Sequence, residues 1–324
     1  MNGFLLSNNS QSTSRKIVII GTGNVGSSLA YACMIKGTSS EIVLIDVNKE
    51  KAEGEAMDLN HGLSFVSPMT ICSGDYSKCK DADIIVLTAG VAQKPGQSRL
   101  ELVNKNFQIF KEIIPKVIER NTNCVFLVAT NPVDVMTYVT LKLSKFPAKR
   151  VIGSGTILDT SRLRYQLGEH LNVDPRNVHA YIVGEHGDSE VPVWSLANIA
   201  GVRLRDYCPT CGIDYEAEHY DKIFNSVKNA AYDIIDKKGA TYYAIGLGLN
   251  RIIESILKDE NSILTVSTYI QDYYDVNDIC ISVPTIINGK GVREALRFPL
   301  EEDEIQQFKK SASIIKDSIK SLNL

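Results

Sequence analysis

Nowhere does the chain stay apolar for anything near the ~20 residues that a membrane-spanning helix needs, which excludes a spanning segment. Long basic runs are missing too. With 35 Lys and Arg against 38 Asp and Glu, the net charge is −3, and nucleic acid would find little electrostatic footing. The cysteines offer no obvious pairing: seven of them, an odd number, lie scattered over 324 residues. That argues against a disulfide framework and for a reducing cytoplasm. Met1 to Ser14 is polar apart from Phe4-Leu5-Leu6 and has no basic segment ahead of that patch. It is too short on apolar residues for a secretory signal and reads as a disordered extension. There is no internal repeat, and no linker rich in Pro or Ser.

What is there is ordinary for a globular protein: 44% hydrophobic and 23% charged residues, in a chain long enough for two domains. The first half alternates short, β-branched apolar runs with helical patterns. Lys16–Ile20, Ile42–Ile45, Ile84–Thr88 and Val125–Ala129 suit strands buried on both faces of a parallel sheet. Val103, Phe107, Phe110, Ile114 and Val117 form one helical stripe, which Pro115 is expected to kink or break. Arg150–Gly155 reads as a last parallel strand, and Asp159–His170 as a helix with Asp159 as its N-cap. Beyond lie a strand-like stretch at Val178–Val183, helices over Tyr215–Lys237 and Thr241–Lys258, and strands over Ser262–Ile270 and Ile279–Ile287. An amphipathic helix carrying Ile305, Phe308, Ala312, Ile315 and Ile319 closes the chain. The fold class expected is α/β: a doubly wound parallel sheet, followed by a mixed α+β domain.

The first strand runs into Gly21-Thr22-Gly23-Asn24-Val25-Gly26, a G-x-G-x-x-G turn that opens a helix. Such a turn lets the backbone approach a pyrophosphate, and the helix N-terminus offers it N–H groups. Alone the motif is weak. Here a strand precedes it, a helical pattern follows, and Asp46 ends the next strand 20 residues after Gly26. An acid there accepts ribose hydroxyls and repels a 2′-phosphate, so NAD is the expected cofactor. Residues 15–155 are expected to form this Rossmann domain, and 156–324 the domain that serves the substrate.

Gly184-Glu185-His186-Gly187-Asp188 puts a histidine in a turn after a strand. Asp159 and Arg162, three apart, share one helical face. Arg99 and Asn131 follow two different sheet strands, and ligands of doubly wound sheets bind beyond the strands' carboxyl ends. Hydride transfer to a ketone needs a proton donor, a cation to polarise the carbonyl and another to anchor a substrate carboxylate. Histidine titrates near neutrality, a buried Asp favours its imidazolium, and Arg matches a carboxylate with two prongs.

Taken together, these motifs resemble the NAD-dependent L-lactate/malate dehydrogenase family, most of all its bacterial L-lactate dehydrogenases. The likeness runs from about residue 15 to the C-terminus. It covers Gly21–Gly26, Thr88-Ala89-Gly90, Gln93-Lys94-Pro95-Gly96, Asn131-Pro132-Val133-Asp134, Asp159-Thr160-Ser161-Arg162, Gly184–Asp188 and Lys238-Gly239-Ala240-Thr241. It implies that His186 is the proton donor and acceptor with Asp159 as partner, that Arg162 binds the carboxylate, and that Arg99 rides a lid near Ala89–Leu102 and polarises the carbonyl. Asn131 and Thr241 would line the substrate pocket and Ile245 would back the nicotinamide. Gly21, Gly23, Val25, Gly26, Asp46, Lys51, Tyr76, Gly90, Ala129, Asn131 and Ser154 would lie on the cofactor side, with no metal required. The resemblance further implies a homotetramer with Arg164 and His179 in a fructose 1,6-bisphosphate effector site, and a place in glycolysis and fermentation. Two residues turn a helix by ~200°, so Arg162 and Arg164 should leave opposite sides.

Substrate choice rests on Gln93. Malate enzymes set a cation against the second carboxylate, because burying that charge unpaired costs several kcal/mol. A neutral amide favours pyruvate. Larger 2-oxo acids stay open as alternatives, and malate is disfavoured. A zinc-dependent dehydrogenase using Cys208, Cys211 and His219 is a further alternative, as is a non-catalytic NAD-binding sensor. Neither explains why the whole His186 constellation is present.

Overall fold

The computed structural model describes residues 15–91, 99–212, 217–322 and 324, with the side chains of Arg99 and Ala217 left out. Six parallel strands form the heart of the sheet: β1 Lys16–Ile20, β2 Glu41–Ile45, β3 Thr70–Ser73, β4 Ile84–Leu87, β5 Val125–Val128 and β6 Val151–Gly153. Their order is 3-2-1-4-5-6, the doubly wound arrangement that the alternating runs predict. Strands β1, β2, β4 and β5 are almost wholly buried. They are covered on both faces, which is why they read as unbroken apolar runs rather than alternating ones. The edge strand β3 has a single buried residue and is not legible in the sequence.

The sheet does not stop at residue 155. An antiparallel meander of β12 Ser262–Ile270, β13 Ile279–Asn288 and β14 Gly291–Ala295 adds to the β6 edge, making nine strands. Contact between the halves is intimate. Gly155 has φ +55°, and a Cβ there would lie 2.4 Å from the Ser267 amide nitrogen. One apolar core runs through both halves, joining Val18 and Phe126 to Val283 and Phe308.

Helices α1 Asn24–Lys36, α2 Lys49–His61, α3 Arg99–Ile118 and α4 Val133–Ser144 connect the parallel strands. The remainder comprises α5 Ile157–Leu171, α6 Leu204–Thr210, α7 Ala217–Lys238, α8 Tyr243–Leu257 and α9 Glu302–Lys320, with short strands β7 Val178–His179, β8 Ile182–Val183, β9 Val191–Pro192, β10 Asn198–Ile199 and β11 Val202–Arg203. α9 closes over the core through Phe308, Ala312 and Ile315.

Two expectations are corrected. Pro115 does not break α3, which continues to Ile118. Pro115 lies near the helix end on its exposed side, where water can serve the carbonyl it leaves without a donor. Asp159 is not an N-cap: α5 begins at Ile157 after Thr156, so Asp159 sits inside the first turn and its carboxylate is free for other partners. Residues 1–14, expected to be disordered, lie outside the described residues. Among the described residues no helix is long and apolar enough to cross a membrane.

Candidate active site

The glycine turn after β1 is shaped by contact. A Cβ at Gly21 (φ +106°) would lie 2.5 Å from the Ala89 nitrogen, and one at Gly26 2.0 Å from the Gly21 carbonyl oxygen. Strand, turn and helix touch there, so neither position admits a side chain. Gly23 is the opposite, with nothing within 4 Å of its Cβ position. α1 starts at this opening with no capping side chain and no acid in its first turn. Its N–H groups and positive dipole end are therefore left for an anion such as a pyrophosphate. Nearby, Asp46 Oδ2 accepts from the Thr22 amide at 2.7 Å and its hydroxyl at 3.1 Å, while Oδ1 accepts from the Asn48 amide at 2.9 Å. Burial pushes the Asp46 carboxyl up, but these bonds and Lys51 outweigh it and hold it below its usual range. Ionised, it keeps lone pairs for ribose hydroxyls.

Other expected cofactor-side residues gather at the same strand ends. Val25 and Ile245 pack, half-buried, against one core cluster. Ser154 is buried and its amide donates to Val128 O at 2.8 Å. Ala129 is half-buried, and Gly90 is exposed and close to Thr130. Tyr76 is half-buried with the Lys116 ammonium 5.3 Å from its ring centre. The exposed Lys51 donates its amide to Asn48 Oδ1 at 3.1 Å, at the start of α2. These residues, with the open glycine turn, fit an adenine dinucleotide.

The catalytic candidates converge. Asp159 is buried and holds two cations at once: Oδ2 lies 2.5 Å from His186 Nδ1 and Oδ1 3.0 Å from Arg162 Nη1. Burial opposes charge on both His186 and Asp159. On His186 the Asp159 carboxylate and its hydrogen bond overcome this, and the imidazole rises to about 9. On Asp159 the His186 and Arg162 charges prevail, and its carboxyl falls below the ordinary range. The His186 side chain is 25% exposed. With Nδ1 engaged, Nε2 is the nitrogen left for a substrate.

Two threonines, Thr156 just before α5 and Thr160 within it, make this meeting possible. Thr156 Oγ1 donates to Ile182 O at 2.5 Å, and the Ile182 amide donates to Thr160 Oγ1 at 3.0 Å. β8 is thereby clipped to α5, and the chain reaches His186 four residues later beside Asp159. The turn itself is fixed from three sides. The His186 amide donates to Asp134 Oδ2 at 2.8 Å, the Glu185 amide to Ser311 Oγ at 2.8 Å and the Gly184 amide to Ser282 O at 2.9 Å. Sequence reasoning gave no role to Thr156, Ser311 or Asp134. A signal for Asp134 exists: it is a lone acid in the apolar run Val133–Val139, a helix segment buried throughout. Also missed was Asn106, fully buried, whose side chain accepts from the Val91 amide at 2.8 Å and donates to Asn131 O at 2.7 Å. It ties the loop after β4 to the exposed Asn131, whose bond to Pro132 is cis.

Arg99 begins α3, but its side chain and the whole of Gln93 lie outside the described residues. Thr241 is half-buried just before α8. Arg162 and Arg164 do leave α5 in different directions. Arg164 donates Nε–H to Ala180 O at 3.1 Å and covers the Tyr181 ring at 5.3 Å, while His179 is exposed in β7. The alternative zinc residues do not converge. Cys208 Sγ faces the Tyr220 hydroxyl at 2.8 Å, and His219 faces His170 at 3.2 Å. Among the described residues the group that could geometrically hold a metal is instead Asp159, His186 and Glu190, with ligand atoms within 4.8 Å of one another. The guanidinium already on Asp159 argues against a divalent cation there.

This geometry has a family. Residues 15–153 match the model of the lactate/malate dehydrogenase NAD binding domain, and residues 156–323 that of the lactate/malate dehydrogenase alpha/beta C-terminal domain. The chain belongs to the lactate/malate dehydrogenase family. It is an NAD-dependent oxidoreductase. It is 52% identical to an L-lactate dehydrogenase of Acetivibrio thermocellus over 98% of this chain and 100% of that protein. With L-lactate dehydrogenase 1 of Clostridium acetobutylicum it shares 53% identity over 95% of this chain and 98% of that one. Among solved structures, the minor L-lactate dehydrogenase of Enterococcus mundtii matches with a TM-score of 0.93 at 46% identity, covering 96% of this chain and 99% of that one.

Proposed function

We propose that this chain is an L-lactate dehydrogenase that interconverts pyruvate and L-lactate at the His186–Asp159–Arg162 cluster. The observation that carries the reading is the single buried carboxylate of Asp159 holding both a histidine and an arginine. Bound NADH supplies the hydride and NAD takes it back. Arg162 grips the pyruvate carboxylate with the guanidinium edge that Asp159 leaves free, which sets the ketone toward His186. As the carbonyl oxygen gains charge, His186 gives it the Nε2 proton, and in the reverse direction takes it back. Asp159 fixes the ring and keeps its proton on at neutral pH. Arg99 completes the site by polarising the carbonyl, and Asn131 and Thr241 bound the pocket.

In this reading residues 15–155 bind the cofactor and 156–324 supply the proton donor. The enzyme works in the cytoplasm as a homotetramer in fermentative glycolysis, with Arg164 and His179 gathering fructose 1,6-bisphosphate at a subunit contact. Gln93 makes pyruvate the preferred substrate over oxaloacetate and leaves room for larger 2-oxo acids. Steady-state NADH oxidation with pyruvate, oxaloacetate and 2-oxoisocaproate tests this. Pyruvate should give the highest kcat/KM, and Gln93→Arg should swing the pyruvate-to-oxaloacetate ratio toward oxaloacetate by tenfold or more, about 1.4 kcal/mol. A wild type that prefers oxaloacetate would overturn the substrate assignment. A ratio unmoved by Gln93→Arg would remove Gln93 from the pocket.

A further inference from the structure

Glu190 is an acid in an unusual place. It immediately precedes β9, its amide donates to Gly187 O at 3.1 Å, and its side chain is carried inward instead of to solvent. Only 6% of the residue is exposed. Its Oε1 is buried without a hydrogen-bond partner among the described residues. A carboxyl oxygen of Glu190 lies within 4.8 Å of both the Asp159 carboxylate and a His186 ring nitrogen. An acid that merely terminated a strand would turn outward and hydrate, because burying an unpaired carboxyl is costly. Here the proton-transfer pair is the company it keeps.

We propose that Glu190 is a positioning residue for proton transfer, a third carboxyl whose charge decides how long His186 keeps its proton as pH rises. The inference rests on His186 being the proton donor, as argued above. The charged groups acting on Glu190 are Asp159 and Arg162 from α5, His186 from the turn after β8, and Lys228 from α7. Those acting on His186 are Asp159, Asp134 from α4, and Glu190 itself. Burial and then the Asp159 carboxylate push the Glu190 carboxyl up to about 8. Near neutrality Glu190 is therefore an uncharged acid, and the cluster holds one carboxylate, one imidazolium and one guanidinium. As pH climbs, ionisation of Glu190 sends its proton to solvent and leaves a negative charge on a carboxyl that reaches within 4.8 Å of a His186 ring nitrogen. The new negative charge then favours the imidazolium and keeps the donor loaded into alkaline solution. Two carboxyls so close cannot easily both ionise, and so their titrations, with that of the histidine, belong to the cluster rather than to any one group.

The test is the pH dependence of pyruvate reduction by wild type and by Glu190→Gln, which keeps the shape and removes the charge. A unit charge at about 5 Å and an effective dielectric constant of about 20 bounds the effect at about 2.4 pH units. Sharing with Asp159 reduces this, so the alkaline limb of kcat/KM should move down by about one unit. Glu190→Asp should restore part of the shift. A purely structural role would lower the whole profile and leave the limb in place, and that result would overturn the proposal. A wild type with no alkaline limb would instead unseat His186 as the donor. A measurement on unaltered enzyme guards against a variant that fails to fold. The ¹⁵N resonances of the His186 ring, assigned by their loss in His186→Asn, should titrate in two steps. A single step would also overturn the proposal.

Discussion

Replacing Asp159 with asparagine should separate the electrostatic part of this site from its geometry. The amide can still accept from the His186 Nδ1–H, but the charge is gone. The imidazole stands at about 9 in the intact protein, against an ordinary value of ~6.5, and this gap of roughly 2.5 units corresponds to about 3 kcal/mol favouring imidazolium. Without the carboxylate, burial pulls the ring down toward ~6.5, with only Asp134 and Glu190 left to oppose it. At about pH 7.5 the protonated fraction then falls from nearly all to about one tenth. Pyruvate reduction in Asp159→Asn should drop at least about tenfold near pH 7.5 and recover toward its own plateau in acid, its alkaline limb displaced by about two units. Arg162 loses its anchor as well, so the KM for pyruvate should rise. Stability follows the same charges. A histidine raised by folding contributes stability fully below ~6.5, and that contribution is lost as pH climbs through about 9. Wild type should therefore lose its Tm advantage over the variant across that window. Steady-state NADH oxidation and thermal melts at matched pH measure both. If the limb of Asp159→Asn stays where wild type has it, Asp159 is not what keeps His186 charged.

Two further outcomes test the cofactor turn and the effector reading. Gly26→Ala forces a Cβ to within 2.0 Å of the Gly21 carbonyl oxygen, so turn or helix must move; Tm should fall by several degrees and NADH affinity by at least about tenfold in calorimetric titration, an overpacking cost of ~1–3 kcal/mol. Arg164→Gln should abolish any lowering of the pyruvate KM by fructose 1,6-bisphosphate while sparing activity at saturating pyruvate; a KM and a sedimentation profile that the compound leaves unchanged in wild type would eliminate the site.

How far the sequence carries depends on the range of the interaction involved. β1, β2, β4 and β5 are legible because burial on both faces leaves a local record of β-branched residues. The same holds for the Gly21–Gly26 turn, whose contacts lie within one strand–turn–helix unit, and for Asp159 and Arg162, which share a helical face. The two long strands of the antiparallel extension are legible in the same way, but their joining to the parallel sheet is not. The junction is the pairing of Ser267 with Gly153, more than a hundred residues apart, and nothing local in either segment specifies the other. Asp159 was open to misreading for the same reason. An acid near a helix start suits an N-cap, and only the distant His186 reveals what the carboxylate does. Glu190 is the extreme case, an acid beside an apolar strand, where tertiary contact alone decides between solvent and interior.

The interior polar groups connect what the sequence lists far apart. Ser282 Oγ on β13 donates to Asp134 Oδ1 at 3.3 Å, and Asp134 Oδ2 accepts the His186 amide at 2.8 Å. Asp134 is itself fully buried, and burial pushes its carboxyl up despite the His186 and Ser282 hydrogens that favour its charge. A carboxyl in such a position tolerates no loss of partners, since each unpaired buried polar group costs ~1–3 kcal/mol. The catalytic turn is therefore bound to α4 and to β13, while Thr156 and Thr160 bind β8 to α5. His186 and Asp159 come from segments that could slide past one another, yet the Ile182, Gly184, Glu185 and His186 amides between them each have an acceptor. Proton transfer depends on a donor held within hydrogen-bond reach before the substrate arrives. The threonine clips and the Asp134 anchor supply that constraint without touching the chemistry, so the catalytic residues themselves are left with their charges to spend on the substrate.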